Sequence, residues 1–208
     1  NINALEIPEI FGNDMILQRN TQCKIWGWAE ANHYVRIVTG WDNHSYLAKA
    51  GKDGAWKVEV KTTEASYNTY DITFSEYSSD PEKKAKGIQP VATSVSKDVL
   101  IGEVWFCSGQ SNMEMSLGGF WNCPVEGANE TILESQKYNR SIRVATIARD
   151  GKQEPQKKVA GKWEKAEPKN ASHFSACAYY FATTLTDALD VPVGVINCSW
   201  GGSCVEGW

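Results

Sequence analysis

Ser111 is the residue in this chain best placed to act as a nucleophile. It lies in Ser108-Gly109-Gln110-Ser111-Asn112-Met113, a run of small and polar residues that follows the apolar stretch Val99 to Cys107. A buried strand ending in such a turn presents a hydroxyl at the carboxyl edge of a sheet, where open α/β sheets bind their ligands. A helix starting at the turn would aim backbone N–H groups at the same place. Such donors suit the oxyanion of a tetrahedral ester intermediate, and losing one costs about 10²–10³ in rate. A second glycine turn, Trp200-Gly201-Gly202-Ser203, closes another apolar run, Val193 to Ser199. The chemistry this suggests is acyl transfer. The turn is not the G-x-S-x-G elbow, because Met113 stands where the second glycine would be.

Two apolar strands must hold these turns. Ser172 to Asp190 carries Phe174, Cys177, Ala178, Phe181, Leu185, Ala188 and Leu189 at three- and four-residue spacing, which predicts an amphipathic helix with Ser172 as its N-cap and Pro192 just past its end. Ser141 to Ala148 reads as a further strand, and Glu130 to Tyr138 as a short helix. Strand, helix, strand predicts a right-handed parallel crossover, which sets the Ser111 and Gly201-Gly202 turns on one sheet edge. Asp150 to Asn170, rich in Lys, Glu and Pro around Trp163, reads as a surface connection, and Gly118 to Asn129 as a loop.

Residues 1–97 have a different texture. Trp56, Val58 and Val60 alternate with Lys57 and Glu59, and Tyr70, Ile72 and Phe74 alternate with Asp71, Thr73 and Ser75. That period of two marks strands with one buried face. Met15 to Gln18, Cys23 to Trp28, Val35 to Thr39 and Tyr46 to Ala50 are further strands, with Lys52-Asp53-Gly54 as a hairpin turn. Short strands without a helix predict an antiparallel β-sandwich. The chain thus divides into a β-sandwich domain, 1–97, and an α/β domain with a parallel sheet, 98–208.

Composition narrows the partners. With 22% charged residues, a net charge of −4 and no basic run, nucleic acid is not expected. No apolar run is long enough for a membrane span. Ser78 to Gly87 is a charged, solvated loop. None of the six cysteines forms a C-x-x-C pair, so no metal site and no cofactor are expected. Cys107, Cys177 and Cys198 sit in apolar segments and read as small buried hydrophobes, while Cys123 and Cys204 are the candidates for a disulfide. Five N-x-S/T triplets begin at Asn43, Asn129, Asn139, Asn170 and Asn197; the last lies in a predicted buried strand. Nine tryptophans and eight tyrosines are many for 208 residues. Some of these rings could serve as platforms for the apolar face of a sugar.

Val104-Trp-Phe-Cys-Ser-Gly-Gln-Ser-Asn-Met-Glu-Met115 closely resembles the nucleophile block of the sialate O-acetylesterase family, within the SGNH hydrolase superfamily. Gly12-Asn-Asp-Met-Ile-Leu-Gln-Arg19 and Trp26-Gly-Trp28 resemble that family's amino-terminal β domain. Phe174 to Phe181 and Val193 to Ser203, with Glu206 and Trp208, resemble its next two blocks. The resemblance implies a mixed β plus α/β fold, the second part being the beginning of a flavodoxin-like SGNH domain. It implies removal of O-acetyl groups from sialic acid or related sugars, in an extracytoplasmic setting (secreted, periplasmic or lysosomal), without a cofactor. Ser111 would attack the acetyl carbonyl and form an acetyl-enzyme that water cleaves. The Ser111 backbone N–H, a donor from Gly201-Gly202 and the Gln110 side chain are the oxyanion or substrate-binding candidates. Gln110 and Asn112 could instead hold the turn, and the glycine pair could simply be a tight turn needing positive φ.

The family's general base is a histidine with an aspartate three residues before it, and no D-x-x-H occurs here. His173 falls at a helix start, and His33 and His44 lie in the β-rich half. The expectation is therefore an amino-terminal piece, from which something ahead of Asn1 was also removed, inactive alone for want of a base. Its unfinished sheet should leave apolar surface for a separate carboxyl-terminal segment or an oligomer. The rival expectation is a noncatalytic carbohydrate-binding or scaffold protein with the esterase architecture.

Overall fold

The computed structural model describes residues 5–83 and 87–207. Part of the charged stretch Ser78 to Gly87, and Trp208, therefore lie outside the described residues. In chain order the elements are β1 (Ile16–Gln18), β2 (Gln22–Trp28), β3 (Tyr34–Thr39), β4 (Ser45–Lys49), β5 (Ala55–Lys61), β6 (Ser66–Tyr77) and β7 (Ala92–Gly109). Then come α1 (Ser111–Glu114), α2 (Ala128–Glu134), β8 (Ile142–Thr146), β9 (Trp163–Lys165), α3 (Pro168–Ala171), α4 (Ala176–Leu189) and β10 (Val193–Ser199). The architecture is mixed and dominated by sheet, with few helices.

Alternation places the strands as expected. In β3, Val35, Ile37 and Thr39 are buried while their neighbours are half-buried. The main sheet runs β4-β3-β6-β7-β10-β8-β9, with β1 also paired to β7, and β2-β5 forms a separate antiparallel ribbon. Ile25, Trp56 and Val60 of that ribbon pack with Val35, Ile37, Ile72 and Phe74 of the main sheet in one apolar cluster. A second cluster joins α4 to the other end of the sheet through Ala178, Tyr179, Ala182, Val144, Val193 and Val195.

β7 links the two. Over Ala92 to Ile101 it lies antiparallel to β6, and from Glu103 to Gly109 it lies parallel to β10. The expected strand Val99 to Cys107 is thus the middle of an 18-residue strand. Asp98 adopts φ +58 near the change of partner. Its left-handed backbone is held by Arg143 on β8, whose guanidinium donates to the Asp98 carbonyl and, at 3.1 Å, to its Oδ1. β10 is parallel to both β7 and β8, with α4 preceding it in the chain.

Four expectations need correction. The α4 N-cap is Ser175, whose extended backbone lets Oγ accept from the Ala178 N–H at 3.2 Å, whereas Ser172 closes α3. The buried stripe of α4 is Ala178, Tyr179, Ala182 and Thr186, so Cys177 and Phe181 face outward. Ala178 and Ala182 let the helix sit close on the sheet valines, Tyr179 fills the space beside them, and Phe181 is turned away. The connection around Trp163 is not all surface. It contains β9 and α3, and the buried Trp163 indole donates to Ile10 O at 2.8 Å. Finally, all six cysteines are free, Cys123 and Cys204 included.

Candidate active site

Gly109 ends β7 with φ +155, and a Cβ there would come within 3.1 Å of the Met113 Cβ. The chain then turns directly into α1, closed by Glu114 N–H to Gln110 O and Met115 N–H to Ser111 O, both 2.9 Å. Ser111 is the first residue of α1 and is exposed. Because β10 runs parallel beside β7 with Ser199 opposite Gly109, the second glycine turn emerges at the same edge.

Hydrogen bonds stitch the two turns together. Trp200 N–H donates to Gly109 O at 3.0 Å, and Ser108 Oγ donates to Cys198 O at 2.5 Å. The Gln110 side-chain amide donates to Ser203 O. That bond makes Gln110 a tie between the turns. The Asn112 side chain is exposed and has no hydrogen-bond partner among the described residues.

The glycine pair splits into two roles. Gly201 N–H donates to Glu114 Oε2 at 2.8 Å, so it is already committed to an acceptor. A Cβ on Gly201 would lie 2.4 Å from that oxygen and 3.2 Å from Ser111 Oγ, so a larger residue would displace the Glu114 carboxylate. Gly202 has φ +76 and open space around it, and its N–H has no acceptor among the described residues. Of the pair, Gly202 is the donor left open.

Glu114, which has no partner spacing in the sequence that supports acid–base work, holds the site together instead. Its carboxylate is nine-tenths buried, holds Gly201 through Oε2, and is ion-paired through Oε1 with the half-exposed Arg149. The signal was present: a carboxylate three residues after Ser111 falls on the same side of a helical turn. Arg149, in the connection after β8, carried no such signal. Two further carboxylates of the α/β half do not hold the turns. Glu103 pairs with Arg19 at 2.7 Å, and Glu206 is exposed. A cavity of about 610 Å³ adjoins the turn, lined by Arg149, Lys152, Ser199, Trp200 and Glu206 among others.

Thiols do not compete with the serine. Burial pushes the Cys107 and Cys198 thiols above their ordinary value, which leaves them protonated and poorly nucleophilic. Among the described residues the Ser111 hydroxyl has no hydrogen-bond partner, and the three histidines are placed elsewhere. His33 Nδ1 lies 2.7 Å from Glu76 and Nε2 lies 3.6 Å from Glu30. His44 meets Tyr46 edge-on, and His173 is an exposed residue between α3 and α4. Glu30, His33 and Glu76 offer ligand atoms within 4.8 Å of one another, but each imidazole nitrogen already faces a carboxylate.

No protein-family model matches the chain. Individual proteins do. Human sialate O-acetylesterase is 28% identical over 211 residues, covering 94% of this chain and 37% of the relative. The rat protein of the same name is 26% identical over 214 residues, with 94% and 36% covered. Among solved structures, a carbohydrate acetylesterase from Xanthomonas citri superposes with a TM-score of 0.81 at 26% identity, covering 99% of this chain and 42% of that one. The fold and these matches put the chain among the relatives of carbohydrate esterases. Within that class it is similar to proteins named sialate O-acetylesterase, with which it aligns over 94% of its length. It spans less than two fifths of the length of those curated relatives.

Proposed function

We propose that the chain carries the nucleophile half of an SGNH-type carbohydrate O-acetylesterase acting on sialic acid or related acetylated sugars. The observation that carries this is Ser111, exposed at the start of α1 and facing the Gly201 turn, where an added Cβ would lie 3.2 Å from its Oγ. Ser111 Oγ attacks the acetyl carbonyl, its proton passing through the general base to the sugar oxygen, which leaves as the free hydroxyl. The Ser111 and Gly202 N–H groups are the oxyanion donors, and water then cleaves the acetyl-enzyme to acetate and free serine. Gln110 and Glu114 shape the site without touching substrate.

The layout of this reading is a β-sandwich, 1–97, followed by an SGNH-like domain, 98–208. Two apolar clusters support it, the first drawn almost wholly from residues before 100 and the second from residues after 116. An extracytoplasmic setting, secreted, periplasmic or lysosomal, goes with an acetylated-glycan substrate in this reading; among the described residues no helix is long and apolar enough to cross a membrane.

A serine without a base is a poor nucleophile at neutral pH. These 208 residues alone should therefore release acetate from an O-acetylated sialoside no faster than buffer does. In a polypeptide that also supplies the Asp-x-x-His base, Ser111→Ala should abolish release, a fall on the order of 10⁶ in kcat. An unchanged rate in that variant sinks the assignment. The unpartnered Ser111 hydroxyl equally favours a second reading, a noncatalytic sugar-binding protein on the esterase architecture. Acetate release that stays absent when the base is supplied, with sugar binding intact, would select it.

A further inference from the structure

A cavity of about 680 Å³ lies on the β2-β5 ribbon, apart from the Ser111 turn. Trp26 and Trp28 of β2, Lys49 of β4 and Lys57 of β5 line it, together with Gln156 and Lys157 from the connection between β8 and β9. Its size falls in the range of about 300–1,000 Å³ usual for small-molecule sites. The wall combines two chemistries. The Trp26 indole is 40% exposed and is held edge-on by Phe11, with ring centroids 4.6 Å apart. A fixed, half-exposed indole is a ready surface for the apolar face of a pyranose ring.

The rest of the rim is cationic. Lys49, Lys57 and Lys157 converge on the cavity, and no carboxylate is among its lining residues. Lys157 shares Asp53 at 3.6 Å, and the Lys49 ammonium sits 5.5 Å over the Tyr34 ring. Lys57 has no ion pair among the described residues. Lysines scattered on strands are ordinary solvated groups, but three on one largely apolar cavity favour an anion with an apolar body. The Trp56 indole N–H, also on a lining residue, is buried without an acceptor. Gln156 lines both this cavity and the one beside Trp200, so one segment walls both.

We propose that this cavity binds a carboxylate-bearing sugar, the Trp26 indole taking its apolar face and Lys57 with Lys49 its carboxylate. The site stands on the cavity alone and takes no part in acyl transfer. The test is calorimetric titration of the 208-residue chain with the α-methyl glycoside of sialic acid, methyl galactoside and a tetraglutamate peptide. Saturable binding of the sialoside alone is expected, weakening as salt is raised. Trp26→Ala should weaken it by about tenfold, a loss of roughly 1.4 kcal/mol. Because Trp26 also packs on Phe11, Lys57→Glu serves as the second variant. It changes only an exposed side chain and should weaken binding at least as much. No binding, equal binding of the neutral sugar or the peptide, or binding that survives both variants would overturn the proposal. A negative result leaves the Ser111 assignment as it stands, since that is read by acetate release.

Discussion

The Gly201 N–H donates to Glu114 Oε2 at 2.8 Å, joining residues 87 apart in sequence. Glu114 sits on α1 directly after the Ser111 turn, and Gly201 on the turn after β10, so one carboxylate fixes the spacing of the two. Arg149 occupies the other carboxylate oxygen and holds the group in place. A turn at the end of one strand is thereby registered against its neighbour by a charged hydrogen bond, as well as by the sheet.

Glu114→Ala should therefore act on both stability and chemistry. It strands the Gly201 N–H and Arg149, and a hydrogen bond to a charged group contributes about 1.5–3 kcal/mol. Urea denaturation should show a loss in that range, with an unchanged m value. In a polypeptide that supplies the base, kcat should fall by about 10²-fold while KM moves little, because Ser111 loses its alignment. Gly201→Ala should give the same kinetic result by the opposite route, since its methyl would crowd both Glu114 Oε2 and Ser111 Oγ. A Glu114→Ala variant with native stability and native kcat would show that the bond positions nothing.

The strands of this fold were legible because period-two burial leaves a clear mark. β10 was read to the residue, and β3 and β5 to within one. The strand-to-helix turn at Ser111 was legible because an apolar run ends there in Ser-Gly-Gln-Ser, but the expected burial stops at Gly102, and Trp105 and Phe106 are exposed. What stayed hidden was set by tertiary choice between equal local options. Ser172 and Ser175 are both competent caps, three residues apart, but Ser172 is taken up closing α3, an element that the sequence did not announce. The α4 stripe was read through Cys177 and Phe181, yet Tyr179, Ala182 and Thr186 face the core beside Ala178, because several faces of this helix carry apolar residues. β7 continues past Asp98 because Arg143 and Lys165, far away in sequence, stabilise a backbone that the local sequence disfavours.

The Asp98 cluster makes stability depend on acid. Burial pushes the Asp98 carboxyl up, but the hydrogen bond from Lys165 and the Arg143 charge outweigh it and hold it below its ordinary value. A carboxyl lowered on folding contributes stability that is fully present above its unfolded value, near 4, and is lost as pH falls through the folded value. Asp98→Asn leaves the Arg143 charge buried and should cost about 3 kcal/mol at pH 7. That is the low end for a broken buried pair, because Asp98 is itself about a third exposed. The gap between wild type and Asp98→Asn should then close below about pH 4. A gap of constant size from pH 7 to pH 2 in guanidinium titrations would contradict this.

Tyr179 on α4 presents the reverse case. Its ring is buried in the second apolar cluster, and its hydroxyl has no hydrogen-bond partner among the described residues. Burial pushes the phenol far above its ordinary value, so the group stays neutral throughout the accessible pH range. Removing a buried hydroxyl that lacks a partner relieves a desolvation cost of about 1–3 kcal/mol and leaves the ring packing intact. Tyr179→Phe should therefore match or exceed wild type in thermal midpoint. A drop of several degrees would reveal a partner for the hydroxyl and disprove the reading.

The outer edge of β7 should make the chain associate. From Glu103 to Gly109 its pairing is with β10, and the opposite edge carries no strand among the described residues. Trp105 and Phe106 are adjacent on this segment, so their side chains leave opposite faces of the sheet, yet they are 43% and 62% exposed. Phe181 meets Trp105 edge-on without covering it. An open strand edge flanked by aromatic rings on both faces is a template for another strand and for apolar contact. Sedimentation at rising concentration should show reversible self-association, and Phe106→Glu should suppress it by placing a charge on the open face. Because Phe106 is already mostly exposed, that substitution should change stability by no more than about 0.5 kcal/mol. A chain that stays monomeric at 100 μM, in both wild-type and Phe106→Glu forms (a concentration of about the order at which exposed edges associate), would mean the edge is closed in solution.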